Sequence, residues 1–203
     1  MRRPVEPRGP GTRPGKRLEL FIASGCNIHC SFCCESERIA RKSFMPWDEI
    51  DAKLVAAASA GYDLVQFMGG EATLHPRFVD ALARARELGL GTYVITNLLR
   101  WQQRSFADAV GPLLDEVMVS MHAWGDEAGR LVTGTRSWWP SFLEAVDNAR
   151  GTLEGRVRGS TVLTRRCADD LERIADVQLS LRPQSWIMGN AVPVLGTREN
   201  VID

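Results

Sequence analysis

The chain contains no apolar run approaching the ~20 residues of a membrane-spanning helix. Neither sign of charge is in excess: 25 Lys and Arg stand against 25 Asp and Glu. That balance removes the basic footprint expected of a nucleic-acid or membrane-surface binder. Cysteine is scarce, with five in 203 residues, and three of these crowd between positions 26 and 33. Such clustering is unlike a disulfide framework. The other two, Cys34 and Cys167, are too few to hold a second metal cluster. Internal repeats are absent. Arg2-Arg3 is not followed by the apolar stretch that an export signal requires.

What is present is a 44% hydrophobic chain, long enough for one domain with a sizeable core. Residues 1–17 differ from the rest, with six basic residues among Pro4, Pro7, Pro10 and Pro14. They read as a disordered basic arm, and residues 18–203 as the folded unit. Clustered free thiols call for a reducing compartment, so the cytoplasm is expected.

From residue 18 the pattern alternates. Apolar runs at Leu18–Ala23, Leu64–Met68, Thr92–Thr96, Glu116–Met121, Val157–Leu163 and Ser185–Val192 read as strands. Segments 47–60, 76–88, 102–110, 140–150 and 169–177 read as helices between them. Asp48 is placed as an N-cap, Pro76 in a first turn, and Gly89 and Gly151 at helix ends. Five β–α units and a sixth strand imply an α/β fold with a parallel sheet and right-handed crossovers. In such sheets chemistry sits beyond the carboxyl ends of the strands.

Two motifs fall there. After the first strand, Cys26, Cys30 and Cys33 form a C-x3-C-x2-C loop, with Phe32 as an apolar wall. Three close thiolates without a clear fourth fit an iron–sulfur cluster with one open iron; a zinc knuckle or a set of unrelated buried thiols are the alternatives. After the second strand comes Gly69-Gly70-Glu71. Two glycines let the backbone approach a ligand closely, and a carboxylate beside them suits a cationic group. Read alone, the same residues are a tight turn with a solvated Glu.

Together the cysteine loop, Gly69-Gly70-Glu71, Thr96-Asn97 and Ser120-Met121-His122 resemble the radical S-adenosylmethionine (radical SAM) superfamily over about residues 18–165. The resemblance implies a partial (β/α)6 barrel, short at its C-terminus. It implies a [4Fe-4S] cluster on Cys26, Cys30 and Cys33, whose fourth iron is chelated by S-adenosylmethionine. Reductive cleavage then releases a 5′-deoxyadenosyl radical that takes a hydrogen atom from substrate. By position, Gly69, Gly70 and Glu71 would hold the methionyl ammonium, and Thr96 and Ser120 would contact the methionyl or ribose groups. Val192–Glu199 faintly echoes a segment whose backbone meets adenine. The partners implied are a low-potential donor such as flavodoxin or ferredoxin, and an unidentified substrate with a lean to peptide or protein.

The chain also departs from the family pattern. Leu98 stands where a glycine commonly follows Thr-Asn, which is expected to weaken that turn without touching the cluster. Cys34 is expected to be a structural thiol. Trp138-Trp139 are expected to pack at a helix start, partly exposed, and His122 to be either a ligand-facing or a simple rim histidine. The C-terminus just past the sixth strand leaves a second reading open: a truncated or degenerate cluster-binding subunit without catalysis of its own.

Overall fold

A computed structural model describes residues 15–39 and 42–191. Six strands form one parallel sheet in sequential order: β1 (Arg17–Ala23), β2 (Leu64–Gly69), β3 (Gly91–Thr96), β4 (Glu116–Ser120), β5 (Val157–Leu163) and β6 (Ser185–Asn190). β1 and β6 do not pair, so the sheet curls without closing. The connections carry α1 (Ser36–Ile39), α2 (Trp47–Ser59), α3 (Phe78–Glu87), α4 (Arg104–Val110), α5 (Gly125–Thr133), α6 (Trp138–Thr152) and α7 (Leu171–Ser180). All six expected strands are present, within two residues of their expected ends. No helix among the described residues is long and apolar enough to cross a membrane.

Alternation along the strands builds the core. Ile22, Val65, Phe67, Val94, Val117 and Val119 are fully buried. They share one cluster with Ile50 and Leu54 of α2, Phe78 and Leu82 of α3, Val110 of α4, Phe142 of α6 and Ile174 of α7. These five helices therefore dock the apolar stripe that the 3.6-residue period creates. Burying a large side chain of this kind is worth about 1.5–3 kcal/mol.

Several expectations shift at helix ends. Pro46, not Asp48, is the N-cap of α2; Asp48 lies in the first turn, where its charge suits the helix dipole. Pro76 precedes α3. Gly151 lies inside α6, which runs on until Leu153 turns into the core. Helix α5 has no counterpart in the sequence reading. The segment 192–199 falls outside the described residues.

Candidate functional site

The carboxyl ends of the strands surround a cavity of about 450 Å³, within the usual range for ligand pockets. All nine residues singled out from the sequence line it. Cys26, Cys30, Phe32 and Cys33 come from the loop after β1; Gly69, Gly70 and Glu71 from the end of β2; Thr96 from β3; and Ser120 from β4.

The cysteine loop is gripped by α5. His29 N–H donates to the Thr133 carbonyl at 2.7 Å, and Ser31 N–H to the Val132 carbonyl at 2.9 Å. These carbonyls lie in the last turn of α5, where no intrahelical donor is left for them. Gly134 ends the helix at φ 67°, and a Cβ there would lie 3.0 Å from the His29 carbonyl oxygen.

Burial pushes the Cys26 thiol up to about 11 and the Cys30 thiol up to about 12, and raises Cys33 as well. At Cys26 the backbone N–H groups of Ile28 and Asn27 oppose this by favouring the thiolate. At neutral pH the metal-free thiols hold their protons, which any metal bound there would have to displace. Among the described residues no three His, Cys, Asp or Glu side chains converge tightly enough for a single metal ion. The three thiols ring the cavity within reach of one another's charge. Three thiols on one cavity wall are the kind of ligand an iron–sulfur cluster takes.

The two glycines are required by the chain's own backbone. A Cβ on Gly69 would lie 2.1 Å from the Ala23 carbonyl oxygen, and one on Gly70 2.6 Å from that of Gly25. Without side chains there, Gly70 N–H reaches the Ala23 carbonyl at 2.8 Å and Glu71 N–H the Gly25 carbonyl at 2.9 Å. The turn after β2 thus fixes the start of the cysteine loop.

Glu71 is fully buried, and its carboxylate already accepts four protein hydrogen bonds. Oε1 takes Thr73 Oγ1 at 2.6 Å, Thr96 Oγ1 at 2.8 Å and Thr73 N–H at 3.3 Å; Oε2 takes Asn97 N–H at 2.8 Å. Burial raises its pKa, and the four donors work against that rise. Thr96 spends its hydroxyl on Glu71 and on accepting Leu98 N–H at 3.0 Å. Ser120 lies half-buried on the same wall.

His122 was left open between two roles by the sequence. It is buried on the cavity wall, its ring edge-on to Phe32 with centroids 4.9 Å apart. Nδ1 accepts Val162 N–H at 3.0 Å, which places the ring proton on Nε2. Burial pushes its pKa down to about 4, so it is a neutral donor at physiological pH.

Leu98 corrects an expectation. It adopts φ 67°, the left-handed conformation glycine would take, and it is fully buried. The turn survives because the Leu side chain packs in the core. Asn97, the residue before Leu98, brings Nδ2 to 3.7 Å from Cys26 Sγ. Cys34 is exposed, which does not fit a structural thiol, whereas Cys167 is buried and accepts Thr164 N–H at 3.1 Å. Trp138 is buried against Phe142, while Trp139 is only half-buried.

Comparison with known proteins matches this geometry. The S-adenosylmethionine-dependent nucleotide dehydratase of Lacinutrix mariniflava is 25% identical over 196 residues, covering 92% of this chain and 40% of its own length. A probable GTP 3′,8-cyclase of Thermoplasma volcanium is 27% identical over 144 residues, covering 68% and 42%. The chain therefore spans about two-fifths of the length of these relatives. Among solved structures, Streptococcus suis SuiB bound to S-adenosylmethionine superposes with a TM-score of 0.72 at 18% identity, over 92% of this chain and 43% of SuiB. SuiB has also been solved with its precursor peptide SuiA. The sequence model of the radical SAM superfamily, whose members use a [4Fe-4S] cluster and S-adenosylmethionine, matches residues 20–177, and the chain belongs to that superfamily.

Proposed function

We propose that this chain is the S-adenosylmethionine-cleaving core of a radical enzyme. The observation that carries the reading is the convergence of Cys26, Cys30 and Cys33 with Gly69, Gly70, Glu71, Thr96 and Ser120 on one cavity. When bound, a reduced [4Fe-4S] cluster supplies the electron that splits the sulfonium of S-adenosylmethionine and yields a 5′-deoxyadenosyl radical. Cys26, Cys30 and Cys33 would give up their protons to hold it. The backbone of the Gly69-Gly70 turn would face the methionyl ammonium, with Glu71 supplying negative charge from behind. Ser120 Oγ and the Nε2–H of His122 would orient polar groups of the ligand. Phe32, Ile28 and Val162 would exclude water that could quench a radical. The electron would come from a low-potential donor such as flavodoxin or ferredoxin, in a reducing compartment such as the cytoplasm.

The substrate we infer is a peptide or protein segment. SuiB, which shares this fold, has been solved with a precursor peptide, and that supports the reading. The test is anaerobic: reconstitute the cluster, add dithionite and S-adenosylmethionine, and measure 5′-deoxyadenosine by mass spectrometry. Formation that disappears in the Cys26/Cys30/Cys33 triple alanine variant supports the reading; none from fully loaded protein overturns it. Stimulation by nucleoside triphosphates and not by peptides would overturn the substrate assignment alone.

A further inference from the structure

We propose that the Asn97 side chain is a positioning and tuning residue for the metal centre, donating an amide N–H to the sulfur of Cys26. The inference rests on the reading that Cys26 ligates a cluster.

Three contacts aim this amide. Asn97 Oδ1 accepts Leu99 N–H at 3.1 Å; a backbone N–H can only donate, so the atom facing it is the oxygen. The NH2 group is thereby turned the other way. Its nitrogen donates to Asn27 Oδ1 at 2.7 Å and to Cys26 Sγ at 3.7 Å. The backbone is anchored too, since Asn97 N–H is held by Glu71 Oε2 at 2.8 Å. Finally, Leu98 at φ 67° reverses the chain directly after Asn97, and its burial holds that conformation. A buried carboxylate, a left-handed turn and a backbone donor thus converge on the orientation of one amide, 71 residues from the cysteine it reaches.

The chemistry follows from the sulfur. The backbone N–H groups of Asn27 and Ile28 already point at Cys26 Sγ. Asn97 adds a donor from a different strand end, on a side chain that substitution can remove. Hydrogen bonds to cluster sulfurs stabilise the more electron-rich, reduced state and raise the potential. The donor to Asn27 Oδ1 also ties the cysteine loop to the β3 end, which keeps Cys26 facing the cavity.

The test uses the reconstituted full chain. Iron and sulfide are counted first: a wild-type protein that takes no cluster on its three cysteines sinks the cluster reading itself, and this inference with it. In loaded protein, Asn97→Ala is expected to shift the midpoint potential downward in an EPR-monitored titration. An unchanged potential at full loading overturns the proposal alone. Should Asn97→Ala fail to load, protein made with asparagine 15N-labelled at the side-chain amide decides. A 15N coupling to the reduced cluster that persists in both Asn27→Ala and Asn190→Ala, the other cavity-lining asparagine, assigns the donor to Asn97. No coupling in wild type, or its loss in either variant, refutes the assignment.

Discussion

Replacing Glu71 separates its structural load from any contact with a ligand. Its carboxylate meets four donors in a site closed to water. In Glu71→Ala the hydroxyls of Thr73 and Thr96 can rotate towards other acceptors. The backbone N–H groups of Thr73 and Asn97 cannot. A stranded buried donor costs roughly 1–3 kcal/mol, so two of them with the attendant cavity put the loss at about 3–5 kcal/mol. That is a large part of the ~5–15 kcal/mol typical of a folded domain. Glu71→Gln keeps one oxygen for the three donors at Oε1 and turns an NH2 towards Asn97 N–H. One hydrogen bond is lost and two donors face each other, a cost of about 1–3 kcal/mol. Urea unfolding of the metal-free, reduced protein should therefore rank wild type above Gln and Gln above Ala, with an unchanged denaturant slope. An Ala variant within about 1 kcal/mol of wild type would refute the clasp, and so would a Gln variant less stable than Ala.

Other expectations concern the turn, the thiols and the histidine. Gly69→Ala forces a Cβ onto the Ala23 carbonyl and should cost about 1–3 kcal/mol. Gly151→Ala, exposed within α6 with open space around it, should gain about 0.5–1 kcal/mol; equal effects in the same unfolding assay would contradict the packing argument. The cysteine pKa values are raised in the fold, so the metal-free protein should keep its stability below about pH 9 and lose it as pH climbs towards 11 and 12. A flat melting temperature over that window would argue against buried thiols. His122 is depressed to about 4, so its contribution is present above pH 6.5 and lost as the medium is acidified towards 4. His122→Gln should flatten that acid limb, and a limb unaltered by the substitution would move the effect elsewhere.

Much of the site was readable because of topology. Parallel β–α alternation puts every strand's carboxyl end on one rim, so residues far apart in sequence, such as Cys26, Glu71, Thr96 and Ser120, had to meet. The β-branched and aromatic runs announced the strands. What was hidden depended on contacts across the chain. Helix α5 carries Gly125 and Gly129 within nine residues, a poor helical signal, and Gly129 is there because Trp138 packs where a Cβ would project. Only Gly134, a plausible helix terminator, hinted at it. That Gly69 and Gly70 seat the backbone of β1, that Glu71 is clasped by three neighbours, and that Leu98 adopts a glycine-like turn all depend on which atoms lie opposite. No local pattern encodes that. Asn97 was visible as part of a motif, but its reach to Cys26 was not.

The most direct test of the central claim is spectroscopic. Iron, sulfide and zinc are counted in anaerobically reconstituted protein, and the EPR spectrum of the reduced sample is recorded before and after adding S-adenosylmethionine. The account predicts about four irons and four sulfides per chain, and a cluster signal that changes when S-adenosylmethionine binds, both lost in the Cys26/Cys30/Cys33 triple alanine variant. A single zinc per chain, or a cluster signal indifferent to S-adenosylmethionine, would contradict it.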